Sequence, residues 1–227
     1  MLVKELGLDR ETRCETYERI TGLNINNIIE DQSTHLKDKF KLEVPCESKV
    51  LPHIYWLPKL HKNPIKFRFI IAAPNCSIKP LSQTVTKIFK LFYRQIEKYN
   101  DKSQFYTYVK TFWVIQNNVD VIKSINKLNK RNSAKSIKTF DFSTLYTKIP
   151  HAKLLEVLNE LVDFCYQVGT HEKIGINNSN ASWVSKNNRS KLCFSRDDIK
   201  HGIKYLMDNC FFTFGGKVFR QIVGIPM

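Results

Sequence analysis

No run of about 18 apolar residues occurs in this chain, so the sequence offers no membrane-spanning helix and no membrane partner is expected. The opening residues, Met1-Leu-Val-Lys-Glu-Leu6, lack the apolar core of a secretion signal, which points to an intracellular location. Cys14, Cys46, Cys76, Cys165, Cys193 and Cys210 include no C-x-x-C pair. Thiols scattered in this way are expected to be reduced, and argue against a zinc site or a disulfide framework. Acidic residues are the most informative shortage. Residues 51–150 hold 18 basic side chains and only 4 acidic ones. The flanking segments are nearly balanced, with 8 basic and 10 acidic before, and 10 and 7 after. A positive excess confined to one segment is the footprint of a polyanionic partner, either nucleic acid or nucleotide.

What is present reads as a globular protein. The 227 residues, 42% hydrophobic and 25% charged, suffice for one substantial core or a core with a small appendage. Residues 1–48 form an N-terminal extension, mostly helical and polar, broken at Asn24–Asn27 and suited to a packing or arm role. From Lys49 the composition changes. Leu51-Pro-His-Ile-Tyr-Trp-Leu-Pro-Lys-Leu-His-Lys62 is rich in proline and aromatics, and the following Ile65-Lys-Phe-Arg-Phe-Ile-Ile71 alternates as a strand. Alternation places Arg68 on the face opposite Phe67 and Phe69. Together the two segments form a basic flap able to clamp phosphates, through Lys59, Lys62 and Arg68.

Pro80 opens a helix whose apolar face is Leu81, Val85, Ile88, Phe89, Phe92, Ile96 and Tyr99. Lys87, Lys90, Arg94 and Lys98 occupy much of its remainder, either as a solvated side or along a sugar–phosphate backbone. A helix is expected over Asn117–Leu128, another from Pro150 to Gly169, and a third opened by Ser195-Arg-Asp-Asp198. In the last, the two acids in the first turn suit the helix dipole better than a metal site. Residues 169–192, rich in Asn, Ser and Lys, read as an exposed loop. Cys210–Phe214 and Lys217–Val223 read as a hairpin about Gly215-Gly216. The chain stops after Gly224-Ile-Pro-Met227 and has the look of a sequence cut short.

The stretch with chemistry in it is Lys138-Thr-Phe-Asp-Phe-Ser-Thr-Leu-Tyr-Thr-Lys-Ile-Pro150. It reads as a strand from Ser136 to Phe142 carrying Asp141, then a polar turn, then a helix entered through Pro150. A carboxylate at a strand end beside a turn with free N–H groups can hold a divalent cation next to a phosphate.

In this order the pieces resemble a reverse transcriptase domain of the Penelope-like retroelement type. Leu57-Pro-Lys-Leu-His-Lys62 with Arg68-Phe-Ile-Ile71 is similar to its fingers motif, Phe140–Pro150 to palm motif A, and Phe212–Gln221 with Gly224–Met227 to the opening of motif B. The resemblance spans residues 49–227 and implies an α+β fold: an incomplete right-hand polymerase, fingers plus partial palm, with antiparallel palm strands and packed helices. It implies Mg2+ (or Mn2+) as cofactor, with RNA template, DNA primer and dNTP as partners, and a nuclear location. By the same resemblance Asp141 and the Phe142 carbonyl hold the metals, and Leu145 and Tyr146 lie at the incoming sugar. Arg68, Lys59 and Lys62 neutralise the triphosphate, Gln221 contacts the nucleotide, and Lys87, Lys90, Arg94, Lys98 and Gly224 follow the nucleic acid.

One departure is decisive for activity. The family's aromatic-x-Asp-Asp motif does not occur, and Asp197-Asp198, the one adjacent Asp pair, precedes motif B at a helix start. Three readings stay open: a polymerase fragment inactive alone, a non-catalytic RNA or RNA–DNA hybrid binding module, and a degenerate element remnant whose apolar hairpin is left as an unpaired edge.

Overall fold

The structure, a computed structural model, describes residues 6, 15–109, 114–115, 117–131, 136–140, 148–169, 171–184 and 192–225. The chain forms two compact units, one built from Met1–Tyr93 and Thr144–Met227, the other from Arg94–Ser143. The class is mixed α+β with an antiparallel-rich sheet, as the alternating and helical patterns predict.

The first unit is organised on a five-stranded sheet in the order β1-β8-β7-β2-β3. These strands are β1 (Tyr17–Ile20), β2 (His53–Lys59), β3 (Lys66–Ala72), β7 (Phe211–Phe214) and β8 (Lys217–Gln221). All neighbours are antiparallel except β2 and β7, which meet in parallel at His53 and Thr213. Gly215 and Gly216 close the β7–β8 hairpin at φ +56° and +72°, a backbone region that side chains with a Cβ rarely adopt.

Strand alternation then decides the core. On one face Tyr17, Ile54, Phe212 and Phe219 bury together with Leu6, and Phe69, Ile71 and Phe214 pack against them. On the other, Val218 joins Leu51 and the helix residues Ile28 and Ile29. Glu18 and Arg220, directly opposite in the β1–β8 register, form a 2.7 Å ion pair. β8 is therefore paired on both sides, so the hairpin is not the unpaired edge that the remnant reading requires.

The division expected at residue 48 does not separate the units, because residues 15–48 are built into the first one. Tyr17–Ile20 is a strand, and helix α1 (Ile25–Phe40) buries Ile28, Ile29, Gln32, Leu36 and Phe40. Its Gln32 amide donates to the Asn209 carbonyl at 3.2 Å and accepts from the Ser77 hydroxyl. The asparagines at 24–27 do not break this helix but start it, for the Asn24 side chain accepts from the Asn26 N–H.

Of the further described helices, α4 (His151–Gly169) and α5 (Arg196–Asp208) belong to the first unit and α3 (Asn118–Lys130) to the second, while α2 (Lys79–Thr107) begins in the first and ends in the second. The Ser195–Asp198 capping box starts α5, and Asp197 joins Asp198 in its first turn, where acids suit the helix dipole. Gly202 admits Leu81 and Phe40, which would stand 3.3 and 3.5 Å from an added Cβ.

Two expectations fail. Residues 169–192 are not simply an exposed loop: β4 (Lys173–Ile176) pairs with β5 (Ala181–Val184) and β6 (Cys193–Ser195) in a second, antiparallel sheet. Its Ile174, Phe194 and Val184 are buried, and the Asn177 side chain organises the hairpin turn by accepting from the Ser179 and Asn180 N–H groups. Conversely, Ser136–Phe140, expected to begin a strand, is not one. Ile137 and Phe140 are 73% and 92% exposed.

Among the described residues, Cys46, Cys76, Cys165, Cys193 and Cys210 are free thiols. Burial pushes the Cys165 and Cys210 thiols up to about 12, so neither supplies a thiolate nucleophile at neutral pH.

Where α1 meets α5, the His35 ring stacks flat on Tyr205 at 4.0 Å between centroids, with His201 edge-on at 5.3 Å. Burial first, then the charges of His201 and Lys39, hold the His35 imidazole below its ordinary value, with Asp38 opposing. The folded ring thus sheds its proton more readily than the unfolded one. The stability it confers is present above its unfolded value, about 6.5, and is lost as pH falls through the folded value. Thermal melts should show stability falling as pH drops below about 6.5, and His35→Phe should flatten that part of the profile. An unchanged profile in the variant would contradict this assignment.

Candidate nucleic-acid and nucleotide interface

The β2–β3 hairpin brings together the cations that the sequence points to. Its register sets Lys59 opposite Lys66, Leu57 opposite Arg68, Tyr55 opposite Ile70 and His53 opposite Ala72. Directly paired residues share a face, so Lys59, Lys66 and Arg68 project together from the face opposite Ile54, Phe69 and Ile71. The alternation expected for Arg68 is the one observed.

Lys66 was not among the residues singled out by motif, although its position two residues before Arg68 places it on the same face. Lys62 lies in the connecting turn, where its N–H donates to the Lys59 carbonyl at 3.0 Å. Lys62, Lys66 and Arg68 are exposed, and Lys59 is half-buried.

The electrostatics of this face are one-sided. From Ser48 to Ile96 the sequence contains no acidic residue. Lys59, Lys62, Lys66 and Arg68 accordingly have no carboxylate ion pair among the described residues. Like charges directly opposite on two strands destabilise the pairing, and a single acidic substitution would relieve it. Tyr55, Leu57 and Leu60, 38%, 47% and 77% exposed, give the same hairpin apolar and aromatic surface.

The β7–β8 hairpin leads to the second group of expected residues. The Gln221 side chain is buried, and its Nε2 donates to the Val223 and Ile225 carbonyls at 3.0 and 3.1 Å. In this arrangement it holds the turn after β8 and does not present its amide to an incoming nucleotide. Gly224, at φ +100°, carries the chain through a conformation suited to glycine, and its N–H donates to the Ile149 carbonyl at 2.7 Å. Pro150 and Val223 form an antiparallel bridge beside it. The end of the Asp141 stretch and the start of the Gly-x-Pro turn are therefore joined, far apart in sequence but adjacent in space.

The helical cations divide. Lys87 donates to the Asn177 and Asn178 carbonyls at 3.2 and 3.0 Å, tying α2 to the β4–β5 turn. That gives Lys87 a structural role in place of the free contact expected of it. Lys90 is exposed on the same helix in the first unit, whereas Arg94 and Lys98 are exposed in the second. Asp141, Phe142, Leu145 and Tyr146 lie outside the described residues. Among the described residues no group of three or more His, Cys, Asp or Glu side chains is placed to hold a metal ion. No described helix is long and apolar enough to cross a membrane.

The chain was compared with models of protein families and with characterised proteins, and neither comparison gave a match. The functional assignment therefore rests on the residues and their arrangement.

Proposed function

We propose that this chain is the substrate-binding portion, fingers and partial palm, of an RNA-directed DNA polymerase of the Penelope-like retroelement type. The observation that supports this reading best is the acid-free cationic face of β2–β3. It belongs to the same sheet as the β7–β8 hairpin, whose exit turn bridges to Ile149–Pro150. The two hairpins and the end of the Asp141 stretch, Ile149–Pro150, thus belong to the first unit. In this reading Arg68, Lys59 and Lys66 neutralise the triphosphate or the nucleic-acid backbone, with Lys62 at the turn. Asp141 and the Phe142 carbonyl take the metal end, and Leu145 and Tyr146 line the sugar.

A magnesium ion, when bound, would activate the primer hydroxyl and offset charge on the leaving pyrophosphate. The residues in hand do not complete such a centre, since the aromatic-x-Asp-Asp motif is missing and one carboxylate holds divalent ions poorly. The reading therefore gives these 227 residues binding without turnover. That favours, as a second reading, a module that holds RNA or RNA–DNA hybrid without catalysis.

A photoreactive deoxynucleoside triphosphate, irradiated with a primer–template in Mg2+, tests the assignment. Labelling is expected on the peptide spanning His53–Ala72, without primer extension. Labelling spread over the chain, or extension by the 227-residue protein, would overturn it.

A further inference from the structure

The β2–β3 hairpin has a second face. Among the described residues β2 meets β7 at His53 alone, so from the Ile54–Ile71 pair out to Lys59–Lys66 the two strands run on as a ribbon. Opposite the cations stand Ile54, Trp56 and Pro58 of β2, with Phe67, Phe69 and Ile71 of β3. Near the sheet, Ile54, Phe69 and Ile71 join the core. Trp56 and Phe67 lie farther out and are not part of it; Trp56 is 51% exposed and Phe67 half-buried. Their rings meet edge-on, 5.0 Å between centroids and at 78°. Such a pair fixes the orientation of both rings and, at this exposure, leaves flat indole surface uncovered.

The surroundings say what that surface suits. Phe67 sits between Lys66 and Arg68, Lys59 and Lys62 follow Trp56, and no carboxylate occurs from Ser48 to Ile96. β3 is the outer strand in the sheet order, so the cationic and aromatic faces meet along one edge. An unpaired nucleotide matches both faces, since its phosphate is held by cations while its base stacks on a ring. A fully paired duplex offers the phosphates but keeps its bases stacked on one another. A second copy of this hairpin would bring the same cations against these, and like charges repel.

We infer that Trp56, held in place by Phe67, is a stacking platform for an unpaired nucleobase and makes this hairpin prefer single-stranded to fully paired nucleic acid. The inference rests on the reading of the cationic face given above and adds to it the residue that determines strand preference. Lys59, Lys66 and Arg68 hold the backbone whatever its bases do, and Trp56 reads whether a base is free.

An oligothymidylate and an abasic strand of the same length test it by fluorescence anisotropy, because both carry the phosphates and only the first carries bases. The unaltered chain should bind the thymidylate about tenfold more tightly, the effect of one stacked base. Trp56→Leu should abolish that difference without changing abasic-strand binding or the salt slope, and Trp56→Phe should keep most of it. Should the variants fail to fold, a 5-iodouracil strand cross-linked to the unaltered chain still decides, with attachment expected at Trp56 or Phe67. A steep salt slope with equal binding of the two strands would overturn the stacking inference alone, whereas a flat slope would overturn the cationic reading beneath it. Attachment elsewhere, or a concentration-dependent dimer that Trp56→Leu abolishes, would also overturn the inference.

Discussion

Phe219→Ala is expected to destabilise the protein by about 3–5 kcal/mol, a large part of the roughly 5–15 kcal/mol that holds a typical domain folded. Phe219 has no exposed surface and stacks on Phe212 with ring centroids 5.6 Å apart. Tyr17 meets Phe212 edge-on at 5.2 Å, so one ring ties three strands, β1, β7 and β8, into a single apolar layer. Truncation removes the ring and leaves a void that neighbours fixed by strand pairing close only in part. Urea unfolding followed by circular dichroism measures the loss, with the midpoint falling at nearly constant slope. A change below about 1 kcal/mol would mean that this layer is not the core of the sheet. The exposed Lys217→Ala, in the same strand, serves as the control and should stay within about 0.5 kcal/mol.

The second large effect concerns binding. Replacing Lys59, Lys66 and Arg68 together by glutamine should weaken RNA–DNA hybrid binding by about a hundredfold, at roughly 1 kcal/mol for each phosphate contact after allowance for solvent exposure. The slope of log affinity against log salt should fall by about 2–3, because each cation releases about one counterion on contact. Folding should be preserved, since Lys66 and Arg68 are exposed and removal of the opposed Lys59–Lys66 charges relieves a repulsion. Fluorescence anisotropy with a labelled hybrid provides both numbers. A triple variant that binds like the parent would move the polyanion site off this hairpin.

Much of the fold was legible because its local signals agree with its packing. Gly215-Gly216 between two alternating runs reads as a hairpin and is one. Ser195 with Asp198 reads as a helix start and forms the capping box. The period-two pattern from Lys66 places Arg68 correctly. The misses share a cause, which is that strand formation depends on partners that sequence does not show. Lys173-Ile-Gly-Ile176 and Ala181-Ser-Trp-Val184 are short and flanked by asparagines, yet they pair because β6 and the Tyr166–Trp183 contact, 5.0 Å between rings, cover them. Ser136–Phe140 has the better strand composition and is not a strand.

The candidate site was legible to the same extent. Charge and alternation reveal Lys59, Arg68 and, two residues before it, Lys66; the register adds that Lys66 stands opposite Lys59. The capture of Lys87 by the β4–β5 turn depends on carbonyls remote in sequence, whereas Gln221 turns inward onto the nearby Val223 and Ile225 carbonyls. Residues 141–147 lie outside the described residues, so their part in the site rests on the sequence.

The central claim, that the acid-free face of β2–β3 binds a nucleic-acid backbone, is tested most directly by a salt titration of hybrid binding to the unaltered chain. The account predicts a linear fall of log affinity with log salt and a slope of about −3 or steeper, from at least three to four phosphates neutralised. A flat dependence would contradict it, and would leave the basic segment as a solvated surface with no polyanion to hold.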